Sequence, residues 1–194
     1  MNWSLKRTAE PAVEPVSLAE AKVHLKMDDI TADDALITAL IQTAREWVEQ
    51  ATRRSLITQT WRYRLSELPS CDYIELPRPP LLAVSSFTYV DGNGDSQTWS
   101  TSSYSVLSDA EPGRVAIAYG MVWPSIRDQE AAVTVTYTAG YGAVPGLVPA
   151  PLRQAILLLV GSMYANREAT SPVKIETVPF SAEALISPYR VHYF

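Results

Sequence analysis

The sequence predicts an α+β fold: a small helical bundle formed by N-terminal and C-terminal helices, with an antiparallel β region inserted between them. Three observations carry this. Apolar residues from Leu36 to Ala51 recur every three to four positions, the period of a helix with one buried face. Near Trp61, Tyr63 and Leu65 the period drops to two, with Thr60, Arg62 and Arg64 interleaved, as in a half-buried strand. From Leu152 to Tyr164 the chain is apolar over most of a helical circumference, so a helix there must be covered on several sides.

The elements follow in order. Residues 1–16 contain Pro11 and Pro15 and no periodic pattern, and read as an extended N-terminal arm. Ser17-Leu18-Ala19-Glu20 is a capping box, in which the serine oxygen takes an orphan amide and the glutamate reaches back. A short helix is expected to run to about Lys26. Thr31-Ala32-Asp33-Asp34 opens a second helix with carboxylates at its positive end. Leu36, Ile37, Leu40, Ile41, Ala44, Trp47 and Val48 form its apolar face; Gln42, Arg45, Glu46, Glu49 and Gln50 are expected on the outer face. It should end near Arg53-Arg54.

Strands are then expected within Leu56–Leu68, at Tyr73–Leu76, Leu82–Val90, Gln97–Trp99, Tyr104–Leu107, Arg114–Tyr119 and Val133–Tyr137. Pro77-Arg78-Pro79-Pro80 cannot donate to a ladder and reads as a rigid connector. Asp91-Gly92-Asn93-Gly94-Asp95 reads as a hairpin turn, because Gly and Asn accept positive φ. Pro149 and Pro151 introduce the last helix, and Pro172 to Phe194 has little regularity. The expected partition is a helical core over 17–54 and 150–168, a β-rich region over 55–149, and a C-terminal docking tail over 169–194.

At 194 residues the length suits one domain, or one domain with an insertion. The net charge of −5 argues against a protein that grips nucleic acid by its phosphates. Cys71 is the single cysteine, so no internal disulfide forms, as suits synthesis in a reducing cytoplasm. No apolar stretch has the length of a signal peptide or a membrane span.

No motif for catalysis, metal or cofactor emerges, and none of the three is expected. Asp91, Asn93 and Asp95 have the alternation of a calcium loop, but Ser96 stands where glycine is required and Ser102 where a bidentate glutamate belongs. His24 and His192 lack companions at metal spacing. Cys71 has no neighbouring base in sequence, and no serine lies in Gly-x-Ser-x-Gly. Two features invite partners. Trp61, Trp99 and Trp123, with Tyr63, Tyr89, Tyr104, Tyr119 and Tyr137, are core aromatics or, in a second reading, a platform for a carbohydrate or a host surface. Leu185, Ile186, Tyr189, Tyr193 and Phe194 form an apolar set in an irregular tail and are expected to dock on a neighbouring chain.

Several strings, in order, resemble one family. They are Glu14-Pro-Val-Ser-Leu-Ala-Glu-Ala-Lys-x-His-Leu25, Asp34-Ala-Leu-Ile37 with Ala44-Arg45, and Leu56-Ile-Thr-Gln-Thr-Trp61. Then come Leu76-Pro-Arg-x-Pro-Leu81, Tyr89-Val-Asp91, Val135-x-Tyr-x-Ala-Gly-Tyr-Gly142, and Pro149-x-Pro151 with Gln154-Ala-Ile-Leu-Leu-Leu159 and Tyr164-x-Asn-Arg-Glu168. Together they are similar to the head–tail connector (adaptor, or head-completion) proteins of tailed bacteriophages and gene-transfer-agent particles. The resemblance implies a structural protein without catalytic residues, made in the host cytoplasm and found in the virion neck. It implies a homo-oligomeric ring, usually of twelve copies, beneath the portal protein. Such a ring extends the DNA channel without specific DNA binding and meets a downstream stopper or tail-completion protein. On that reading Leu36, Leu40, Trp47, Ile156, Leu159 and Tyr164 are candidates for helical core or ring packing. Asp91, Asn93 and Asp95 are candidates for a partner-facing hairpin. A stopper or tail-terminator ring protein is the neighbouring alternative, and a hydrolase lacking any recognisable nucleophile–base pair is a more distant one.

Overall fold

The computed structural model describes residues 2–166 and 180–191. Its elements are β1 (Trp3–Ala9), α1 (Leu18–Leu25), α2 (Asp34–Thr52), β2 (Gln59–Leu65), β3 (Tyr73–Glu75), β4 (Leu81–Val90), β5 (Ser96–Thr98), β6 (Tyr104–Leu107), β7 (Arg114–Ile117), β8 (Val133–Ala139), α3 (Ala150–Ala165) and α4 (Phe180–Ile186). The fold is α+β, with helices and antiparallel sheets segregated along the chain. Two compact units result. The sheet unit takes residues 2–11 and Thr58–Gly142; the helical unit takes Ala12–Ile57 and the described chain from Ala143 onward.

In the helical unit α2 packs on α3, and α1 and α4 join them. Ile37, Ile41, Ala44 and Val48 of α2 are buried with Leu152, Ala155, Ile156 and Leu159 of α3. Burying each large aliphatic is worth roughly 1.5–3 kcal/mol relative to exposure. The capping box forms as its sequence dictates: the Ser17 amide donates to Glu20 Oε2 at 2.8 Å, and the Glu20 amide donates to Ser17 Oγ at 3.2 Å. Arg153 of α3 donates to the other Glu20 oxygen and to the Pro15 carbonyl at 3.0 Å, which ties α1 to α3.

The Ser17 amide holds the Glu20 carboxyl below its ordinary pKa; slight burial opposes this, and the Ser17 hydroxyl and Arg153 add to it. A depressed carboxylate contributes stability that is present above its unfolded pKa, about 4.3, and lost as pH falls through the lower folded value. Glu20→Ala is therefore expected to cost about 1 kcal/mol at neutral pH. The gap from wild type should close in acid. Urea titrations at neutral and acid pH measure it, and a gap that widens in acid refutes this account of the cap.

The sheet unit holds two sheets, in strand order β1-β2-β8-β4-β5 and β3-β7-β6. Every pairing is antiparallel. Trp61, Tyr63 and Leu65 of β2 face inward beside Val133, Val135 and Tyr137 of β8, with Phe87 of β4 among them. Phe87 is ringed by Trp99, Tyr104 and Trp123 at centroid distances of 4.8, 5.9 and 6.4 Å. Gly113 is required beside this core: a Cβ there would stand 2.4 Å from Leu81 Cβ.

Three sequence expectations change. Residues 1–16, read as an extended arm, contain strand β1, which pairs with β2 from Trp3↔Leu65 to Ala9↔Thr60. The strand lies at the sheet edge with no buried residue, only Leu5 and Arg7 being half-buried, so its alternation is too weak to announce it. Arg45 and Glu49, expected on the outer face of α2, are buried, with only 1% and 4% of their surfaces exposed. Burial is tolerated because they satisfy each other, as described below. The irregular tail contains α4, whose Ala182 and Ile186 are buried within the helical unit.

Candidate assembly surfaces

The C-terminal segment is stitched to the end of α2. A helix leaves its last carbonyls without intrahelical partners. The Thr52 carbonyl accepts the Val191 amide at 3.0 Å, and Arg54 Nε donates to the Tyr189 carbonyl at 2.6 Å. Arg54, expected only near the end of α2, is thus a tether for the tail. Ile186, expected on a docking tail, is core instead, since its side chain is fully buried in its own helical unit. Leu185 and Tyr189 are half-buried. Tyr193 and Phe194 lie outside the described residues, as does His192.

Among the residues expected in helical core or ring packing, Ile156 and Leu159 are buried, while Leu40, Trp47 and Tyr164 are half-buried and Leu36 is exposed. The Tyr164 hydroxyl donates to the Asp33 carboxylate at the start of α2. The partly uncovered group on α2 and α3 is therefore Leu36, Leu40, Trp47 and Tyr164.

A charged cluster supports this unit from inside. Arg45 Nε donates to Glu14 at 2.8 Å, its Nη1 to Glu49 at 3.0 Å, and its Nη2 lies 3.5 Å from Glu46. The second Glu49 oxygen accepts the Leu56 amide at 2.9 Å, fixing the chain as it leaves α2. Burial works against the Arg45 charge, but Glu49, Glu14 and Glu46 outweigh it and hold its pKa above the ordinary guanidinium value.

In the sheet unit the β4–β5 hairpin turns at Asp91, Asn93 and Asp95. Asp91 Oδ1 accepts the amides of Asn93, Gly94 and Asp95 at 2.9, 3.1 and 3.1 Å, and Oδ2 accepts Gln97 Nε2 at 2.9 Å. This explains the alternation that mimics a calcium loop: the Asp91 carboxylate is committed to the turn itself. Gly94 has φ +100°, and the Arg127 guanidinium lies where its Cβ would be. Asn93 and Asp95 are exposed. The Gln97 amide first, then the turn amides, hold the Asp91 pKa below its ordinary value. In acid titration, the Asn93, Gly94 and Asp95 amide resonances should therefore shift together at a pH below the ordinary aspartate range, about 3.9. A transition above that value overturns the assignment of Asp91 as the turn's acceptor.

The aromatics divide. Trp61, Tyr63, Trp99, Tyr104 and Tyr137 are buried, and Trp123 and Tyr89 are half-buried. A recognition platform requires open ring faces; Trp99, Tyr104 and Trp123 face one another, Arg78 covers Trp61, and Tyr137 is fully buried. Tyr119 alone among them is fully exposed, and Met121 and Val122 beside it are also exposed. Sequence reading missed this apolar tip, although Tyr119-Gly120-Met121-Val122 after a strand was a visible signal.

Among the described residues no group of three or more His, Cys, Asp or Glu is arranged to hold a metal ion. Among them, too, no helix is long and apolar enough to cross a membrane. Cys71 is exposed, with its thiol 3.2 Å from the Tyr73 carbonyl.

Known proteins give the arrangement its context. The chain is similar to one in a structure of the virion of the native gene transfer agent particle, at 25% identity and TM-score 0.81, covering 98% of this chain and 96% of that one. It is similar to a chain in the neck of the empty particle computed with C6 symmetry, at 26% identity and TM-score 0.82, covering 98% and 97%. It shares its fold with a chain in the neck of the native particle computed with C12 symmetry, at 23% identity and TM-score 0.78, covering 98% and 97%. No curated protein matches the sequence. Residues 15–89 and 127–190 match the family described as phage gp6-like head-tail connector protein. Those two stretches take in helices α1 to α4 and nearly all of the central strands β2, β4 and β8, and with most of the chain matched in this way, the protein belongs to the phage gp6-like head-tail connector family.

Proposed function

We propose that this chain is a structural subunit of the virion neck and acts by forming a closed ring, of twelve copies, between portal and tail. The observation that carries this reading is the near full-length similarity to a neck chain at 26% identity. Symmetry of six and twelve in the neck structures suits a ring of twelve. The ring continues the DNA channel and offers the next neck component a surface. It works through shape, with no chemical step.

In this reading the helical segments 17–54 and 150–168 build the ring wall, and Leu36, Leu40, Trp47 and Tyr164 meet neighbouring copies. The exposed Asn93 and Asp95 at the β4–β5 turn face a partner. The docking role of the tail falls to Leu185, Tyr189, Tyr193 and Phe194, since Ile186 is needed in the core. Deleting the whole tail would strip Ala182, Ile186 and Val191 from the helical unit, so it cannot separate docking from folding.

The test is a reconstruction of particles that contain a tagged copy of this chain. Twelve tags in a ring at the head–tail junction are the expected result. Tags elsewhere on the particle, or an open rather than cyclic arrangement, overturn the reading.

A further inference from the structure

The five-stranded sheet has two unlike faces. One carries the aromatic core. The register puts Lys6 of β1 directly opposite Arg62 of β2, and Ser4 opposite Arg64. These residues share the other face, with Thr136 and Thr134 of β8 next in the same rows. Opposed side chains on paired strands start about 5 Å apart, and Arg62 and Arg64 start about 7 Å apart along the strand. Three cations are therefore gathered in one small area.

Among the described residues Lys6, Arg62 and Arg64 take part in no ion pair. None of the five strands contains an Asp or Glu. Like charges directly opposite across a strand pair are destabilising. Lysine on an edge strand is a common guard against strand addition, which accounts for Lys6. It does not account for Arg62 and Arg64, because β2 is an interior strand, paired on both sides. The whole chain has a net charge of −5, so everything outside this trio carries −8.

We propose that this cationic face is one half of the contact between neighbouring copies of the chain, seated against an acidic surface of the next copy. The inference rests on the ring reading above and names the surface that reading requires. A closed ring joins two different patches of each subunit. The trio supplies one patch, and the excess of Asp and Glu over Lys and Arg across the rest of the chain, −8, supplies carboxylates for the other. DNA phosphate is the competing anion. Net charge −5 repels a duplex and a second copy alike at long range, so proximity decides: in a closed ring each copy is held against the next, and the next copy's carboxylates, unlike phosphates, recur once per subunit.

The experiment uses the purified full chain and the Arg62→Glu/Arg64→Glu variant. Sedimentation velocity over concentration and salt gives association, and electron micrographs give ring formation. Anisotropy of a labelled DNA duplex gives phosphate binding. Carbodiimide coupling of isotopically mixed copies, read by mass spectrometry, gives the partners of Lys6. The expected result is self-association that weakens with salt and falls roughly tenfold or more in the variant. Lys6 should be joined to an Asp or Glu of a different copy. Arg62→Thr should keep or raise the unfolding midpoint, since removing a like-charge neighbour does not harm the sheet.

Rings formed equally by wild type and variant overturn the inference and leave the ring reading standing. A wild-type chain that stays monomeric throughout also overturns it, because the contact is between copies alone. The ring reading is then decided separately by the particle reconstruction. Duplex binding by such monomers that the variant loses overturns it in favour of phosphate.

Discussion

Arg45→Met is expected to lower the unfolding free energy by about 3–5 kcal/mol, the usual cost of removing one partner from a buried ion pair. The guanidinium is 1% exposed and meets three glutamates. Methionine fills much the same volume, so the main loss is charge compensation rather than packing. Glu49, itself 4% exposed, keeps its bond from the Leu56 amide but loses its cation. The double variant Arg45→Met/Glu49→Leu should recover part of the loss, because an apolar pair leaves no stranded charge, although the Leu56 amide then lacks its acceptor. Urea unfolding of wild type, both single variants and the double variant gives the coupling. A single variant within about 1 kcal/mol of wild type, the typical effect of an average substitution, would mean that the cluster is passive.

Phe87→Ala should cost a similar amount, about 3–5 kcal/mol, by a different route. The ring is fully buried and has three aromatic neighbours within 6.4 Å. Truncation forfeits its transfer energy, leaves a cavity, and breaks two tilted and one stacked ring contact worth about 0.5–1.5 kcal/mol each. Phe87→Leu keeps most of the volume and should cost less. Near-ultraviolet circular dichroism should report the loss directly, since Trp99 and Trp123 flank the site. An unchanged aromatic signal in a destabilised Phe87→Ala protein would place the damage elsewhere.

Legibility in the sequence followed the strength of local signals. Helix α2 was readable from apolar spacing, and α1 from Ser17 and Glu20, because these devices act within a few residues. Strands β2 and β8 were readable because one face is buried and the other is not, giving strict alternation. Strand β1 was not, since this edge strand alternates only between half-buried Leu5 and Arg7 and their exposed neighbours, with a charged residue among the inward positions. The short α4 lacked a long enough period to register. Arg45 and Glu49 looked like an outer face because an i,i+4 charge pair is usually solvated, and the further partner that lets this one be buried is remote: Glu14 lies thirty-one positions before Arg45. No single-helix pattern encodes such a pairing. The cationic face was equally invisible, because Lys6 and Arg62 are neighbours only through strand register.

The capture of the Thr52 carbonyl by Val191 has a consequence for the ribosome. Helices α1 and α2 emerge early, yet α3, which covers the apolar stripe of α2, and Val191, which closes its end, follow only after Thr58–Gly142. At bacterial elongation speeds of about 5–20 residues per second, that stripe waits on the order of ten seconds without its cover. The intervening sheet can close during the delay, since all its strands have then been translated. The sheet unit, which starts at β1, is therefore able to close before the helical unit gains its cover.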